Sequence, residues 1–416
     1  MKQFLGLACS AALAACNVSQ ASGTSGVRLD AGAADDGRAT DGGASQLCPS
    51  ALVVASSDYM STNISVLSPM GGILSESVLS SGSKDPGLSA ALSGDVVLPL
   101  NQTRGEIVLI DQLPNAVLTW VDPSTAAVVH QLNVGTGFSS NPHDYLEVAP
   151  TKAYVTRYET NMSPGKQPND GGGDVLIIDP KAATITGRVP LAMPADGAFL
   201  PRADRMTRVG SEVWVSLDRF DADFKTAGDA RLVGISTADD SIAWTRDLPG
   251  VASCGGIAQA PSGNVVALSC SGVSGDPDPK QRSAIVLIDA TMHPPVEIKR
   301  FAIASQLGAP LGFTLAYATD ALLMGVALGD AAAGRNDVAY TLDLASGMVS
   351  VLVDAGAPFV FGDVRCSPGC TDMCFLADAK AKALRVWKAN GSSLSEQAPA
   401  PVDPKLNLPP RSLGAF

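Results

Sequence analysis

Apolar and polar residues alternate along short stretches of this chain, and the stretch 141–158 is typical. It reads NPHDYLEVAPTKAYVTRY, in which two alternating runs flank a short turn. A period of two places every second side chain on one face of a strand, so the stretch predicts a β-hairpin. The same pattern recurs at 205–217, 256–270 and 313–328.

A second kind of hairpin alternates with the first. In each, a run rich in β-branched residues ends near an aspartate, a turn of Pro, Thr, Ala or Gly follows, and another alternating run closes the unit. These hairpins lie at 116–135, 174–191, 230–250, 284–303 and 338–353. Two hairpins make one four-stranded sheet, and the sheets recur at intervals of roughly 40 to 60 residues.

This recurrence predicts an all-β fold, a seven-bladed β-propeller of four-stranded antiparallel blades. The units lie at 51–80, 88–135, 142–192, 201–250, 254–304, 311–355 and 359–398. The first unit lacks an inner strand, whereas the end of the chain, LNLPPRSLGAF (406–416), is similar to the strand that opens the other blades. We therefore expect the C-terminal strand to complete the first blade. Closure leaves no sheet edge for another chain, which favours a monomer.

The N-terminus, MKQFLGLACSAALAAC, has one lysine and then an apolar run too short to span a bilayer, which is typical of a secretory signal. Its last four residues, Leu-Ala-Ala-Cys, resemble the lipobox of bacterial lipoproteins, which implies that Cys16 is lipidated and begins the mature chain. The alternative is an ordinary signal peptide with an incidental cysteine. The chain is thus predicted to divide into a signal peptide (1–15), a lipidated linker (16–47) and the propeller (48–416).

The linker 17–46 contains almost no large apolar residues. Such a segment cannot bury enough surface to offset its ordering entropy, so it is expected to be a flexible tether. Asn17 follows the lipobox cysteine, and resemblance to Gram-negative lipoproteins implies the outer membrane. The predicted location is therefore the cell envelope, with the membrane contacted through the lipid anchor only.

Six cysteines follow the anchor, an even number that fits disulfides in an oxidising compartment. Cys254 and Cys270 are equally far from the turn PSGN at 261–264, so they should face each other across a hairpin and form a bond. Cys48 is expected to pair with one of three clustered cysteines, joining the first blade to the last. The cluster consists of Cys366, Cys370 and Cys374. The alternative interpretation of this cluster, CSPGCTDMC, is a zinc site, but no histidine lies near it in sequence.

Charged residues gather where the chain crosses from the outer strand of one blade to the inner strand of the next. These crossings should lie at the mouth of the central channel, beside long loops at 159–173, 218–229 and 271–282. Loops on a rigid scaffold commonly form binding surfaces, so this face is the candidate binding face. Its candidate residues are His143, Asp144, Arg157, Arg202, Asp204, Arg205 and Arg219. The structural alternative is that such residues pair with one another and cap strand ends.

Other acidic positions are better explained by structure. Asp122, Asp179, Asp289 and Asp343 recur once per blade after a strand, where a carboxylate accepts backbone N–H bonds in a turn. The stretch NDGGGD (169–174) has oxygen ligands for calcium but lacks the full calcium-loop pattern, so a flexible turn is the alternative. We predict no metal and no cofactor.

Composition limits the function further. The formal net charge of −12 repels phosphate backbones, so nucleic acid is not expected as a partner. Aromatic residues make up 5% of the chain, which disfavours a lectin, although Tyr158 and Phe220 fall in the appropriate loops. No nucleophile elbow, zinc-protease motif, P-loop or dinucleotide fingerprint is present, and of the three histidines only His143 is placed to act as a base.

The sequence YVTR at 154–157, followed by VLIIDP, resembles the YVTN-type repeat of surface-layer propellers, with Arg157 where the repeat usually has asparagine. The resemblance covers roughly residues 90–390 and implies a seven-bladed propeller that faces outward from the envelope. Such propellers mostly serve as binding platforms, and only some relatives are enzymes. We therefore expect a lipid-anchored platform for an envelope protein or glycan. The alternative is a lactonase-like hydrolase with its site around His143.

Overall fold

The computed structural model describes residues 48–102 and 105–416, and it consists of seven antiparallel sheets arranged as a β-propeller. The predicted fold class is therefore confirmed. The predicted signal peptide, the lipidation site Cys16 and the linker lie outside the described residues.

Blades 1 to 4 follow the predicted units in order. Blade 1 begins with β1 (Leu52–Ser57), β2 (Thr62–Leu67) and β3 (Ile73–Ser80). Blade 2 contains β4 (Val96–Val97), β5 (Ile107–Asp111), β6 (Val117–Val121) and β7 (Val128–Asn133). Blade 3 contains β8 (Pro142–Ala149), β9 (Lys152–Thr160), β10 (Gly172–Asp179) and β11 (Thr184–Pro190). Blade 4 contains β12 (Ala203–Val209), β13 (Glu212–Leu217), β14 (Ala230–Ser236) and β15 (Ile242–Leu248).

Blades 5 to 7 complete the ring. Blade 5 contains β16 (Gly256–Gln259), β17 (Val265–Ser271), β18 (Ser283–Asp289) and β19 (Val296–Phe301). Blade 6 contains β20 (Leu311–Thr319), β21 (Leu322–Ala327), β22 (Val338–Asp343) and β23 (Val349–Asp354). Blade 7 contains β24 (Phe361–Cys366), β25 (Met373–Asp378), β26 (Ala383–Asn390), β27 (Ser393–Glu396) and β28 (Ala400–Pro401). The last strand of the chain is β29 (Pro410–Ala415).

Helical structure in the described part of the chain is limited to three short segments. They are two 3₁₀ turns, Pro194–Asp196 and Pro279–Arg282, and one α-helical turn, Ala304–Leu307. Within residues 48–102 and 105–416 no helix combines the length and apolarity needed to cross a membrane.

The C-terminal strand closes the ring as predicted. β29 pairs antiparallel with β1, with Leu413 opposite Val54 and Ala415 opposite Leu52. β29 therefore becomes the inner strand of blade 1, beside the inner strands of blades 7 and 2. Closure of this kind pairs the backbone groups that an open ring would leave exposed at both ends.

The burial of each strand explains the two sequence patterns. The second and third strands of a blade are covered on both faces by neighbouring blades, and β14 and β18 are buried along almost their whole length. Fourth strands lie at the rim, where β15 alternates between buried and exposed positions. The apolar run before each aspartate is thus a central strand, and the alternating run after the turn is the outer one.

All six cysteines of the propeller form disulfide bonds. Cys254 bonds Cys270, as predicted from their spacing about the turn. Cys48 bonds Cys370 across 322 residues, and Cys366 bonds Cys374 across the hairpin of blade 7. The first blade is therefore joined covalently to the last. The zinc interpretation fails because no thiolate of the cluster is free to bind a metal.

Candidate functional site

The inner strands are irregular near the end at which they enter the channel. Register shifts interrupt the pairing between the inner strand and its neighbour in blades 1, 3, 4, 6 and 7. A β-bulge adds a residue and redirects the adjacent side chains. In blade 3 the extra residue is His143, between Pro142 and Asp144, and in blade 4 the shift spans Asp204 and Arg205. These bulges aim polar side chains at the channel mouth.

Four side chains from blades 3 and 4 form one connected group at this mouth. Nδ1 of His143 lies 2.7 Å from Oδ1 of Asp204, and the imidazole ring stacks on Tyr158 at 4.3 Å between ring centroids. The Tyr158 hydroxyl in turn donates to Oδ2 of Asp218 over 3.0 Å. An imidazole, a phenol and two carboxyl groups are therefore held together by residues up to 75 positions apart in the chain, from His143 to Asp218.

Asp218 is strongly perturbed by its surroundings. Only 2% of the residue is exposed, and Oδ1 receives no hydrogen bond of ordinary geometry from the described residues. Burial and then repulsion from Asp204 raise the pKa of Asp218 well above its ordinary value, although the Tyr158 hydroxyl acts in the opposite direction. Burial also raises the pKa of Tyr158 well above the ordinary value. Tyr158 therefore stays protonated at neutral pH, and Asp218 keeps its proton to a higher pH than an ordinary carboxyl group does.

A cavity of about 260 Å³ opens beside Asp218 and Tyr158 on the face formed by the long loops, called the loop face below. Its wall combines three phenylalanine rings, Phe220, Phe224 and Phe313, with the side chains of Ser253, Ser271 and Ser274. Phe224 and Phe313 are 46% and 51% exposed, which is unusual for phenylalanine. Among the described residues that line the cavity, none is a lysine, arginine or histidine. The cavity therefore presents aromatic rings and serine residues beside the carboxyl group of Asp218.

The position of Phe224 is set by Arg202. The guanidinium carbon of Arg202 lies 3.6 Å from the centroid of the Phe224 ring. Arg202 is held by an ion pair of 2.7 Å with Glu159 and by a bond from Nη2 to the carbonyl of Asp221. A cation packed on a ring fixes its orientation. Arg202 thus positions one wall of the cavity without reaching the interior.

Asp144 and Arg205 lie in the channel and connect inner strands. Oδ2 of Asp144 accepts a bond of 2.8 Å from the backbone N–H of Met206, and Oδ1 accepts one from Leu100 at 3.3 Å. Burial raises the pKa of Asp144, and Arg205, 3.9 Å away, opposes the change. Arg205 also donates to the carbonyl of His143 over 2.9 Å. These bonds hold blades 2, 3 and 4 together. They agree with the alternative in which Asp144 and Arg205 have a structural role and do not bind a ligand.

Arg157 and Arg219 lie away from the cavity. Arg157 is completely buried and forms two bonds of 2.7 Å with Asp174, one from Nε and one from Nη2. Arg219 is 7% exposed and donates to Asp196 at 2.9 Å. The other five predicted residues lie closer to the cavity or the channel. His143 and Asp204 lie next to Tyr158, and Arg202 packs on Phe224. Asp144 and Arg205 lie in the channel.

Four residues of the cavity are absent from the set predicted from the sequence: Asp218, Ser253, Phe224 and Phe313. A positional signal exists for the first two. Asp218 follows the second strand of blade 4, and its backbone N–H bonds the carbonyl of Arg202, as the N–H of Ser271 bonds Ser253 in blade 5. Alignment of the blades at these positions would have placed Tyr158, Asp218 and Ser271 on one rim. Phe313 and Phe224 carry no comparable signal.

The remaining acidic and histidine candidates lie elsewhere. The turn aspartates accept local bonds, as predicted, and Asp122 bonds the N–H of Ser124 at 2.7 Å. In the stretch 169–174, for which a calcium loop and a turn are the alternatives, the carboxylate of Asp170 accepts the backbone N–H groups of Gly165, Lys166 and Gln167, which favours the turn interpretation.

The two other histidines have structural surroundings. His130 packs against Trp120 at 4.6 Å between ring centroids, and His293 is exposed on the outside of the ring. Neither is near the cavity, so among the described residues His143 is the one histidine at the candidate site.

Comparisons with known proteins support the fold. No protein-family profile and no curated protein matches the sequence. The periplasmic gluconolactonase PpgL of Pseudomonas aeruginosa is similar in structure, with 13% identity, a TM-score of 0.54 and coverage of 87% of this chain and 98% of its own. A Lactobacillus plantarum protein has 11% identity, a TM-score of 0.55 and coverage of 88% and 98%. A candidate 6-phosphogluconolactonase of Bacteroides uniformis has 12% identity, a TM-score of 0.54 and coverage of 88% and 99%.

At these identities the likeness shows a shared seven-bladed propeller and nothing of the reaction. The resemblance to the YVTN-type repeat in particular stays a prediction.

Proposed function

We propose that this propeller binds a small, uncharged, hydroxyl-rich ring compound, such as a sugar or a sugar lactone, in the loop-face cavity. The single observation that carries the proposal is that exposed phenylalanine rings and the buried carboxyl group of Asp218, whose pKa is raised, line the same cavity. Sugars present an apolar ring face and a polar edge. An aromatic side chain can pack against the apolar face of the sugar, and a buried carboxyl group can form hydrogen bonds with the hydroxyl groups at its edge.

The absence of basic side chains among the described lining residues disfavours an anionic ligand. A phosphate or carboxylate buried beside Asp218 would lack a compensating charge, which is costly in a poorly solvated site. The ligand is therefore neutral, and the size of the cavity suits one ring. The sequence predicted an envelope protein or a glycan as the partner. The present proposal limits the ligand to a single neutral sugar or lactone ring.

The site belongs, in this proposal, to a monomeric protein exported to the cell envelope and held there through Cys16. The three disulfide bonds fit an oxidising compartment. The tether and lipid would place the loop face in contact with solutes of that compartment. No lipid-facing surface of the propeller is required.

The direct test is calorimetric titration of the purified propeller with glucose, galactose, N-acetylglucosamine and gluconolactone, and with a glucose phosphate as the charged counterpart. We expect at least one neutral compound to bind and the phosphate ester to bind more weakly. Phe224→Ala should weaken binding about tenfold, the value of one aromatic contact of roughly 1.5 kcal/mol. Phe359→Ala is the matched control because Phe359 is 72% exposed and outside the cavity.

Equal affinity of Phe224→Ala and the wild type would contradict the proposal. Preference for the phosphate ester would do so as well, because the described wall of the cavity has no cation to receive it.

Hydrolysis is the second candidate function, and the pairing of His143 with Asp204 favours it. In the tautomer in which Nδ1–H donates a hydrogen bond to Oδ1 of Asp204, Nε2 carries no proton and can act as a base. His143 does not line the loop-face cavity, so this reaction requires a lactone bound at the channel mouth beside the imidazole. There Nε2 can remove a proton from water as that water attacks the carbonyl carbon of the lactone. The ring C–O bond then breaks, and the ring oxygen leaves as a hydroxyl group after it gains a proton.

The test for hydrolysis is the rate of lactone ring opening above the spontaneous rate. His143→Gln keeps a hydrogen-bond donor toward Asp204 but has no basic nitrogen, so the catalysed rate should fall by about 10²-fold or more. Binding of a neutral sugar should persist in this variant. If the wild type gives only the spontaneous rate, the protein binds without catalysis and the first proposal alone stands.

A further inference from the structure

A second and larger cavity opens at the opposite end of the central channel. The loop-face cavity lies where the inner strands begin, whereas this one lies where they end, at Thr207 and Arg208 of β12 and at Arg365 of β24. Its rim includes the turn 261–263, which joins the first two strands of blade 5. Its volume is about 660 Å³. We call it the turn-face cavity.

The turn-face cavity is electropositive within an acidic protein. Its lining includes Arg208 and Arg365, and none of the described lining residues is an aspartate or glutamate. The whole chain carries a formal net charge of −12, so a concave surface with cations alone is not explained by composition. Low-dielectric walls strengthen the field of such charges inside a cleft.

Arg365 is incompletely compensated. The residue is 8% exposed, its Nε atom has no hydrogen-bond partner, and its closest carboxylate oxygen, Oδ2 of Asp363, is 3.4 Å away. Oδ2 of Asp363 also accepts a bond of 2.8 Å from the hydroxyl of Ser412. Burial lowers the pKa of Arg365. Repulsion from Arg205, a partly buried arginine of the channel, lowers it further, whereas the carboxylate of Asp363 acts in the opposite direction.

Tyr317 supplies a second, independent observation. The residue lines the turn-face cavity and is 3% exposed, yet its hydroxyl has no hydrogen-bond partner. Buried hydroxyl groups are normally paired, so an unpaired one at a cavity wall indicates a missing acceptor. Burial, and then the charge of Asp320, raise the pKa of this hydroxyl. The hydroxyl therefore stays protonated and is available as a hydrogen-bond donor.

We propose that the turn-face cavity binds a small anion with carboxylate or phosphate groups. Arg208 and Arg365 supply the charge, and the Tyr317 hydroxyl supplies a neutral donor that such oxygens accept. This site is separate from the sugar site proposed above. It lies on another face, has the opposite electrostatic character and needs no residue of the loop-face cavity.

The test uses citrate and inorganic phosphate as probes, titrated into the disulfide-bonded propeller with chloride as the background salt at constant ionic strength. The readouts are calorimetric affinity and thermal midpoint. We expect one or both probes to bind and to raise the midpoint above that in chloride. Tighter binding of citrate would assign the site to carboxylates, and tighter binding of phosphate would assign it to phosphate esters.

Two substitutions distinguish the proposed site from unspecific attraction. Tyr317→Phe removes only the unpaired hydroxyl, so it should leave stability unchanged and weaken the anion about fivefold or more. Tyr340→Phe is the matched control, because the Tyr340 hydroxyl is also buried and unpaired but does not line the cavity. Arg208→Gln should weaken binding at least as strongly, since Arg208 is exposed and its loss does not threaten the fold.

Equal effects of chloride and both probes would overturn the proposal. So would unchanged affinity in both Tyr317→Phe and Arg208→Gln. Phe224→Ala should not alter anion affinity, which separates this result from the outcome at the loop face.

Discussion

The Tyr158 hydroxyl donates a 3.0 Å hydrogen bond to Asp218, which joins the second strand of blade 3 to the loop that follows the second strand of blade 4. The Tyr158 ring stacks on the imidazole of His143, which forms a hydrogen bond with Asp204. One aromatic residue thus connects two carboxyl groups whose charges repel each other. The contact therefore brings two groups with raised pKa values, Tyr158 and Asp218, together between neighbouring blades.

Asp218 should make stability depend on pH. Its folded pKa is raised, so the folded chain holds a proton that the unfolded chain has released. The stabilisation of the folded state by this proton is complete below about pH 4 and is lost as the pH rises through the folded pKa of Asp218. The free energy of unfolding then falls by at most about 1.4 kcal/mol per pH unit. Urea unfolding at several pH values should show that Asp218→Asn, which keeps an acceptor for Tyr158, lacks this loss.

Asp58→Asn is the control of opposite sign. Bonds from the N–H groups of Met60 and Ser61 lower the pKa of Asp58. This carboxylate therefore stabilises the fold above about pH 4, and its contribution disappears as the pH falls. A constant difference between wild type and Asp218→Asn across the pH range would contradict the assigned proton.

Arg157→Ala should destabilise the propeller by about 3 to 5 kcal/mol, because it leaves the buried carboxylate of Asp174 without its main partner. Arg188 is the matched control. It also contacts Asp174, at 3.2 Å, but is 34% exposed, so Arg188→Ala should cost about 1 kcal/mol or less. Urea unfolding of both variants measures the difference. Similar losses of unfolding free energy in the two variants would show that water reaches the Asp174 carboxylate.

Loss of the bond between Cys48 and Cys370 should be more costly than loss of the bond between Cys366 and Cys374. The first closes a loop of 322 residues and the second a loop of 8. On the loop-entropy model these contribute about 6 and about 2.5 kcal/mol. Paired serine substitutions at each bond, compared by urea unfolding, check the order, and the reverse order would indicate that blade 1 stays attached without its covalent link.

Removal of residues 410–416 should produce association between molecules. Without β29 the inner edge of β1 has no partner, and an exposed strand edge can pair with another chain. Light scattering after size-exclusion chromatography should detect species larger than a monomer. Leu406→Ser changes an exposed side chain just before the strand and should leave the mass unchanged. A monomeric truncated protein would show that β29 is dispensable for closure.

Local patterns in the sequence were sufficient for the fold. Strand alternation, the aspartate turns and the spacing of Cys254 and Cys270 about one turn involve residues close in the chain. Their interpretation needs only the geometry of a hairpin. The count of seven blades and the closing role of the C-terminal strand followed from that repetition.

Tertiary structure decided what depends on contacts between blades. Sequence placed His143 at the channel mouth, but only the ring brings it to Asp204, 61 residues away, and sets Tyr158 between it and Asp218. The choice of Cys370 as the partner of Cys48 was likewise not determined locally. Pairing and burial depend on how the bulged inner strands meet, and these distances are fixed only when the propeller closes.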